Sequence, residues 1–158
     1  MPWSAMTGDA MEDCAKKERK AGKKLHLTIR GIQTGFGEEE VTEIATTADY
    51  FHRAGKHYIF YEERTEEGHI IKNRLTIDSD RVELKKSGAG ESLLRFRFGH
   101  SQPCRYHSPA GPLELMSDTK RIDFHRDKKG IRLHLDYSFY AAGMLMSKYR
   151  LTVSGRFI

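Results

Sequence analysis

Apolar and polar residues alternate with a period of two along most of this chain. The pattern is most regular in residues 130–155, GIRLHLDYSFYAAGMLMSKYRLTVSG, where one face is apolar in residues 131–139 and again in residues 149–153. Ala142 and Gly143 interrupt the alternation between the two runs. A period of two with one apolar face is typical of half-buried strands, so this segment predicts two long antiparallel strands joined by a tight turn.

Similar runs alternate with turn residues from Lys24 onward. They are KLHLTIRGIQ, EEVTEIATTADYFHR, KHYIFYEER, HIIKNRLTID, RVELKKSG, LLRFRFG, PLELMSD and TKRIDFHRD. The prolines and glycines of HSQPCRYHSPAGP predict at most a short strand near residues 105–107. Because the loops are short, successive strands must be antiparallel neighbours, and no crossover helix fits between them. A sheet without covering helices must close on itself, so we predict an all-β, up-and-down antiparallel barrel of about 8–10 strands.

Composition places this barrel in a single domain with a charged tail. The chain has 158 residues, which is one domain by default. Residues 1–23 lack an apolar period, and we expect a polar and basic tail there that is disordered or forms a short helix. Residues 24–158 are the predicted barrel domain. The stretch KKERKAGKK holds six of the 27 Lys and Arg residues, so the net charge of +5 owes much to the tail.

Several classes of protein do not fit this sequence. No apolar run approaches the length of about 18 residues that a membrane-spanning helix needs, and the first residues contain no apolar stretch typical of a secretory signal. Cys14 and Cys104 lie far apart, which argues against a disulfide framework. We therefore expect a cytoplasmic protein.

Three segments carry a resemblance to a known family. KKSGAGESLLRFRFG, YHSPAGPLELMSDTKRIDF and LDYSFYAAGMLMSKYRLTV resemble, in this order, the motifs of the YwiB-like family of bacterial calycin barrels. The match extends over about residues 25–158 and implies a lipocalin-like or calycin-like barrel. The family is one of unknown function, so the resemblance implies no catalytic or binding residues. Trp3 is the only tryptophan, so the Gly-x-Trp signature of true lipocalins is absent from the domain.

The barrel interior is the first candidate site. Strand parity predicts these inward side chains: Leu25, Leu27, Ile29, Tyr58, Phe60, Leu75, Ile77, Val82, Leu84, Leu94, Phe96, Phe98, Leu113, Leu115, Ile122, Phe124, Leu133, Leu135, Tyr137, Leu151 and Val153. A barrel of this size is either filled by side chains or encloses one small ligand. For the second case we predict a small apolar or amphipathic ligand bound by Tyr58, Phe60, Phe96, Phe124, Leu133, Tyr137 and Tyr149.

No arrangement of reactive residues supports catalysis or metal binding. Cys104 and His107 are three residues apart, which places them on opposite faces of an extended segment. With a turn at residues 128–129, His134 would lie opposite Asp123 on the outer surface, where a cross-strand pair is the simpler interpretation. The sequence has no G-x-S-x-G motif and no phosphate-binding loop before a helix. We therefore predict a protein that is not an enzyme, with neither cofactor nor metal.

Basic residues on the outer surface give an alternative function. Strand parity places these residues on the outward faces of the last strands: Arg121, Arg132, Lys148, Arg150 and Arg156. Together with the KKERKAGKK tail they could form an interaction surface for nucleic acid or for a protein partner. Arg95 and Phe96 point to opposite faces, so that strand does not form a stacking platform. If the barrel closes imperfectly, its edge strands could also pair into a dimer.

Overall fold

The computed structural model describes residues 22–35 and 37–158, and these form one closed barrel of ten antiparallel strands. The strands are β1 (Lys23–Gly35), β2 (Glu38–Arg53), β3 (Lys56–Arg64), β4 (Ile70–Ile77), β5 (Arg81–Ser87), β6 (Ser92–Arg97), β7 (Ser101–Ser108), β8 (Gly111–Arg126), β9 (Gly130–Ala141) and β10 (Met144–Phe157). Each strand pairs with its chain neighbour, and β10 closes the barrel against β1. The predicted all-β, up-and-down barrel is confirmed. Residues 1–21 of the predicted tail lie outside the described residues.

Two of the hairpins turn on an Ala-Gly pair. Ala54 and Gly55 join β2 to β3 with φ values of 52° and 80°, and Ala142 and Gly143 join β9 to β10 with φ values of 50° and 77°. Positive φ at both central residues matches the right-handed twist of the flanking strands. The tight turn predicted at Ala142-Gly143 is confirmed.

The structure has a single strand, β8, where the sequence shows two separate runs of alternating residues. PLELMSD and TKRIDFHRD are continuous across a bulge between Thr119 and Arg121. The bulge inserts one extra residue, so the inward parity changes from odd numbers, as at Leu115, to even numbers, as at Ile122. Both side chains consequently pack against the core.

β7 is longer than the short strand expected near residues 105–107. It runs over Ser101–Ser108 and includes Pro103. The ladder between β6 and β7 contains one register pair, Leu93 with Arg105, whereas the ladder between β7 and β8 contains eight. A proline, which has no N–H to donate, is tolerated because one side of this strand is so loosely paired.

The predicted parity of β3 is wrong. Ile59 and Tyr61 are buried at 0% and 6% exposure, whereas Tyr58 and Phe60 lie on the outer surface. This strand is apolar on both faces at its centre, so alternation could not decide which face is inside. Outside the barrel, Phe51 stacks on the rings of Tyr58 and Phe60 at 4.7 and 5.6 Å.

The remaining inward predictions hold except at the ends of the barrel. Phe98 is 55% exposed because β6 ends at Arg97, and Leu113 is 44% exposed near the start of β8. The buried core includes Leu25, Leu27, Ile59, Leu75, Ile77, Val82, Leu133, Leu135 and Val153, each at 2% exposure or less. Burial of so many large apolar side chains supplies the main driving force for folding.

Candidate functional site

The barrel has two different ends, which we name after residues that lie there. The His57 end is where β1 begins and β10 finishes, and the Tyr149 end is where β10 begins. Towards the His57 end, Ile77, Val82 and Leu133 have no exposed surface. They touch neither solvent nor a space the size of a water molecule, so this half of the interior is filled.

The predicted ligand-binding residues do not form one interior group. Phe96, Leu133 and Tyr137 are buried in the core, and Phe124 and Tyr149 pack against it while partly exposed. Tyr58 and Phe60 are excluded from any interior site because they lie on the outer surface.

Towards the Tyr149 end the interior becomes more polar. The rings of Tyr137 and Tyr149 stack with their centres 5.0 Å apart, and the ring centre of Phe96 lies 4.3 Å from that of Tyr137. Burial raises the pKa of both the Tyr61 and Tyr137 hydroxyls. The Oδ1 atom of Asn73 is buried without a hydrogen-bond partner among the described residues. Near this end, the amide of Asn73 donates to Glu63 at 2.8 Å, and Glu63 also pairs with Lys86 at 3.0 Å.

A second site lies outside the barrel, on four neighbouring strands. We call it the basic face, and it consists of His26 and Arg30 on β1, Lys148, Arg150 and Arg156 on β10, Arg132 and His134 on β9, and Arg121 and His125 on β8. The predicted outward direction of the five basic residues named from the sequence is thus confirmed. Most of the KKERKAGKK tail, which was expected to extend this surface, lies outside the described residues.

Small side chains in the middle of the basic face create two grooves. Ser154 on β10 pairs with Thr28 on one side and Arg132 on the other. These residues line a groove of about 490 Å³ that extends to Arg156. The short hydroxyl side chains form a floor, and the longer arginines form the walls.

The second groove continues the first along the same strands. Thr152 pairs with Arg30 on β1 and with His134 on β9, whose Nδ1 lies 3.3 Å from the Thr152 hydroxyl. A groove of about 350 Å³ is lined by these residues and by Arg150. On β1 the two grooves extend from His26 to Ile32, a distance of six residue steps, which corresponds to about 20 Å of strand.

The arginines of the grooves keep most of their charge unpaired. Within the described chain, Arg30, Arg132, Arg150 and Arg156 are exposed and have no carboxylate within ion-pair distance. Arg121 differs, because its Nε donates to Asp123 at 2.5 Å and this contact raises the pKa of Arg121. Asp123 on β8 and Asp136 on β9 lie on this face, and Asp127, in the turn before β9, lines the first groove; six Lys and Arg side chains of the face outnumber these three carboxylates. The face is consequently positive overall.

The histidines of the basic face do not form a metal site. His134 lies opposite Asp123, and His125 lies opposite Arg132, as the two-residue turn predicts. In residues 22–35 and 37–158, no group of three or more His, Cys, Asp and Glu side chains has the geometry to hold a metal ion.

Cys104 is a core residue and is separated from His107. The thiol is 3% exposed and lies 3.2 Å from the backbone nitrogen of Arg95, and burial raises its pKa. His107 is exposed, and its backbone N–H donates to the Ser92 hydroxyl at 2.9 Å. A buried thiol with a raised pKa is a weak nucleophile.

Several residues of the grooves were not singled out from the sequence. They are Thr28 and Arg30 on β1 and Thr152 and Ser154 on β10. The outward parity of all four could be read from the alternation, and the hairpin places Ser154 beside Arg132. The position of Thr28 and Arg30 depends on closure of the barrel, because it requires the first strand to pair with the last.

Comparisons with known proteins agree with this fold. Residues 27–153 match the family described as a domain of unknown function, DUF1934. The chain is 27% identical over 130 residues to the uncharacterized beta-barrel protein YwiB of Bacillus subtilis strain 168, covering 82% of this chain and 91% of the relative. The crystal structure of the ywiB protein from Bacillus subtilis superposes with a TM-score of 0.79 at 24% identity, covering 91% of this chain and 98% of the other. The described residues include no helix long and apolar enough to cross a membrane. The match over most of the chain shows that it belongs to the DUF1934 family of β-barrel proteins.

Proposed function

We propose that this protein is a non-enzymatic binding protein whose basic face contacts the phosphate backbone of a nucleic acid. The observation that carries the proposal is the pair of adjoining grooves, walled by the unpaired arginines Arg30, Arg132, Arg150 and Arg156. Arginine matches phosphate geometry well, because its planar guanidinium presents two parallel donors.

Charge complementarity selects the partner. The outward residues of the adjacent strand β2 include Glu39 and Glu43, so the positive surface ends there and forms a strip along β8, β9, β10 and β1. A strip about 20 Å long is suited to several successive phosphates. An acidic protein partner would also be attracted, but the hydroxyl floor of the grooves at Thr28, Thr152 and Ser154 offers further donors for phosphate oxygens.

The grooves favour a double helix over a single strand. Their lining residues include no Phe, Tyr or Trp. Binding of single strands depends on aromatic rings that stack on unpaired bases, whereas backbone contacts to a duplex require only basic and polar groups.

Fluorescence anisotropy with a labelled duplex of about 20 base pairs tests the proposal. We expect Arg132→Gln/Arg150→Gln to weaken binding about tenfold at low salt, since two backbone contacts are lost. The matched control is Arg64→Gln/Arg105→Gln, which removes the same charge from exposed positions on β3 and β7. Equal weakening by both double variants would mean general electrostatic attraction and would contradict a defined face. Tight binding of single strands instead of duplex would contradict the assignment of the partner.

A second candidate function is the binding of a small amphipathic ligand inside the barrel, towards the Tyr149 end. It is favoured by the buried Asn73 Oδ1, which has no hydrogen-bond partner in the described residues, and by Tyr61 and Tyr137 beside the partly exposed Tyr149 and Leu151. Polar groups that converge on an apolar interior are typical of ligand sites. Native mass spectrometry of the protein purified from cells tests this candidate. A bound mass of a few hundred daltons that Tyr137→Phe removes would support it, and a clean unliganded mass from several hosts would count against it.

A further inference from the structure

The His57 end of the barrel gathers positive groups around a few aromatic rings. The Arg126 guanidinium carbon lies 5.1 Å from the centre of the Tyr50 ring and 5.9 Å from that of Phe157. Lys23 approaches Phe157 from β1, with its Nζ 4.8 Å from the ring centre. These cation–π contacts hold the two positive side chains over the end of the barrel.

Two stacked histidines complete the cluster. His52 and His57 pair across β2 and β3, with ring centres 4.3 Å apart and planes 6° apart. The Tyr50 hydroxyl lies 2.7 Å from His57 Nδ1, so the same tyrosine ring contacts both His57 and Arg126. His52 and Arg126 are exposed, and their polar edges are therefore available to a molecule from solvent.

Few negative charges balance this cluster. In the described residues, neither Lys23 nor Arg126 has a carboxylate within ion-pair distance. Burial first, then His52 and Arg126, lower the pKa of His57 to about 4, and the opposing effect of Asp78 is weaker. The carboxylate of Asp78 accepts the backbone N–H of Ser79 at 2.8 Å. Arg126 and Lys23 carry the positive charge of this cluster beside the Phe157 ring, and a bound anion would balance it.

We propose that the His57 end is a binding site for a phosphate group, held by Arg126 and Lys23 together with the ring N–H groups of His52 and His57. This site is separate from the basic face, because Arg126 has the inward parity of Phe124 whereas His125 faces outward. It goes beyond the proposed nucleic-acid function, and either can fail without the other.

A titration with inorganic phosphate, followed by NMR of the histidine rings, tests the site. Ionic strength is held constant with chloride at about pH 6.5, so that both phosphate charge states are present. We expect saturable shifts of the His52 and His57 resonances and a rise in the pKa of His57, since a nearby anion favours the charged ring. The resonances of His69 and His107, at the opposite end of the barrel and off the basic face, serve as internal references.

Variants decide whether the response belongs to this cluster. Arg126→Gln should weaken phosphate binding about tenfold or more, as expected for loss of a charge-assisted hydrogen bond. Arg64→Gln, at the other end of the barrel, is the matched control and should leave the affinity unchanged. If Arg126→Gln does not fold, Lys23→Gln should weaken binding several-fold.

Three outcomes would overturn the proposed site. The first is that phosphate causes no saturable shift of the His52 and His57 resonances, and the second is that the wild type and Arg126→Gln bind phosphate with equal affinity. The third is that the only resonances that shift belong to histidines of the basic face. A nucleoside monophosphate is titrated alongside inorganic phosphate to separate two sources of the group. Tighter binding of the nucleotide would support the site and indicate that the phosphate belongs to a larger ligand, whereas equal binding would support free phosphate.

Discussion

We expect the stability of the protein to depend on pH through His57, which lies at one end of the barrel. His57 is partly buried, its Nδ1 lies 2.7 Å from the Tyr50 hydroxyl, and its ring packs 4.4 Å from Phe124. Burial, followed by the charges of His52 and Arg126, lowers the pKa of His57 from 6.5 to about 4. The unfolded chain would bind a proton at this residue near the ordinary value of about 6.5.

The sign of the effect follows from proton binding in the two states. Between about pH 6.5 and pH 4 the unfolded chain binds a proton at His57 and the folded protein does not. The contribution of His57 to stability is therefore fully present above pH 6.5 and is lost as the pH falls towards 4. The full shift corresponds to about 3 kcal/mol, and we expect about 1–2 kcal/mol because solvent screens the partly exposed ring.

Urea unfolding at pH 7.0 and pH 4.5 measures this loss. We expect wild type to lose about 1–2 kcal/mol more than His57→Gln between the two pH values, because glutamine carries no charge at either. His26→Gln, on the basic face, is the matched control and should keep the wild-type pH dependence. The reasoning is refuted if His57→Gln and wild type lose the same free energy of unfolding over this range.

Three further predictions concern the wall and core of the barrel. Gly130→Ala should cost more than about 3 kcal/mol in urea unfolding, because a Cβ there would lie 1.8 Å from the carbonyl oxygen of Gly155; a loss below about 1 kcal/mol would contradict this close approach. Leu133→Ala should cost about 2–5 kcal/mol because Leu133 is 0% exposed, whereas Val41→Ala, at a position 49% exposed, should change stability by less than about 0.5 kcal/mol. The Cys104 thiol should react with iodoacetamide far more slowly in the folded protein than in urea, in a variant whose other cysteine is serine, because burial raises its pKa. Equal rates in the two states would show that the thiol is accessible.

The fold was largely predictable because one physical pattern dominates it. Alternation along nearly every strand, together with short loops, leaves a closed antiparallel barrel as the simplest way to bury the apolar face. The pattern left two features of the barrel unpredicted. No distinctive residue marks the bulge at Thr119–Arg121 that makes β8 one continuous strand, and Ile59 and Tyr61 compete with equally apolar neighbours for the inside of β3.

The candidate sites were less predictable because they depend on contacts distant in sequence. The outward direction of Arg132 and Arg150 follows from strand parity alone. The grooves beside them require β1 to pair with β10, so that Thr28 lies next to Ser154. The cluster at the His57 end likewise joins residues from β1, β2, β3, β8 and β10, whose mutual register the sequence does not give.

The salt dependence of duplex binding tests the central proposal most directly. If Arg30, Arg132, Arg150 and Arg156 each contact one phosphate, the logarithm of the association constant should fall with the logarithm of salt concentration with a slope of about −3 to −4. Arg132→Gln/Arg150→Gln should reduce the magnitude of the slope by about 2, and Arg64→Gln/Arg105→Gln should leave it unchanged. A slope near zero for the wild type, or equal slopes for all three proteins, would contradict binding of nucleic acid by the basic face.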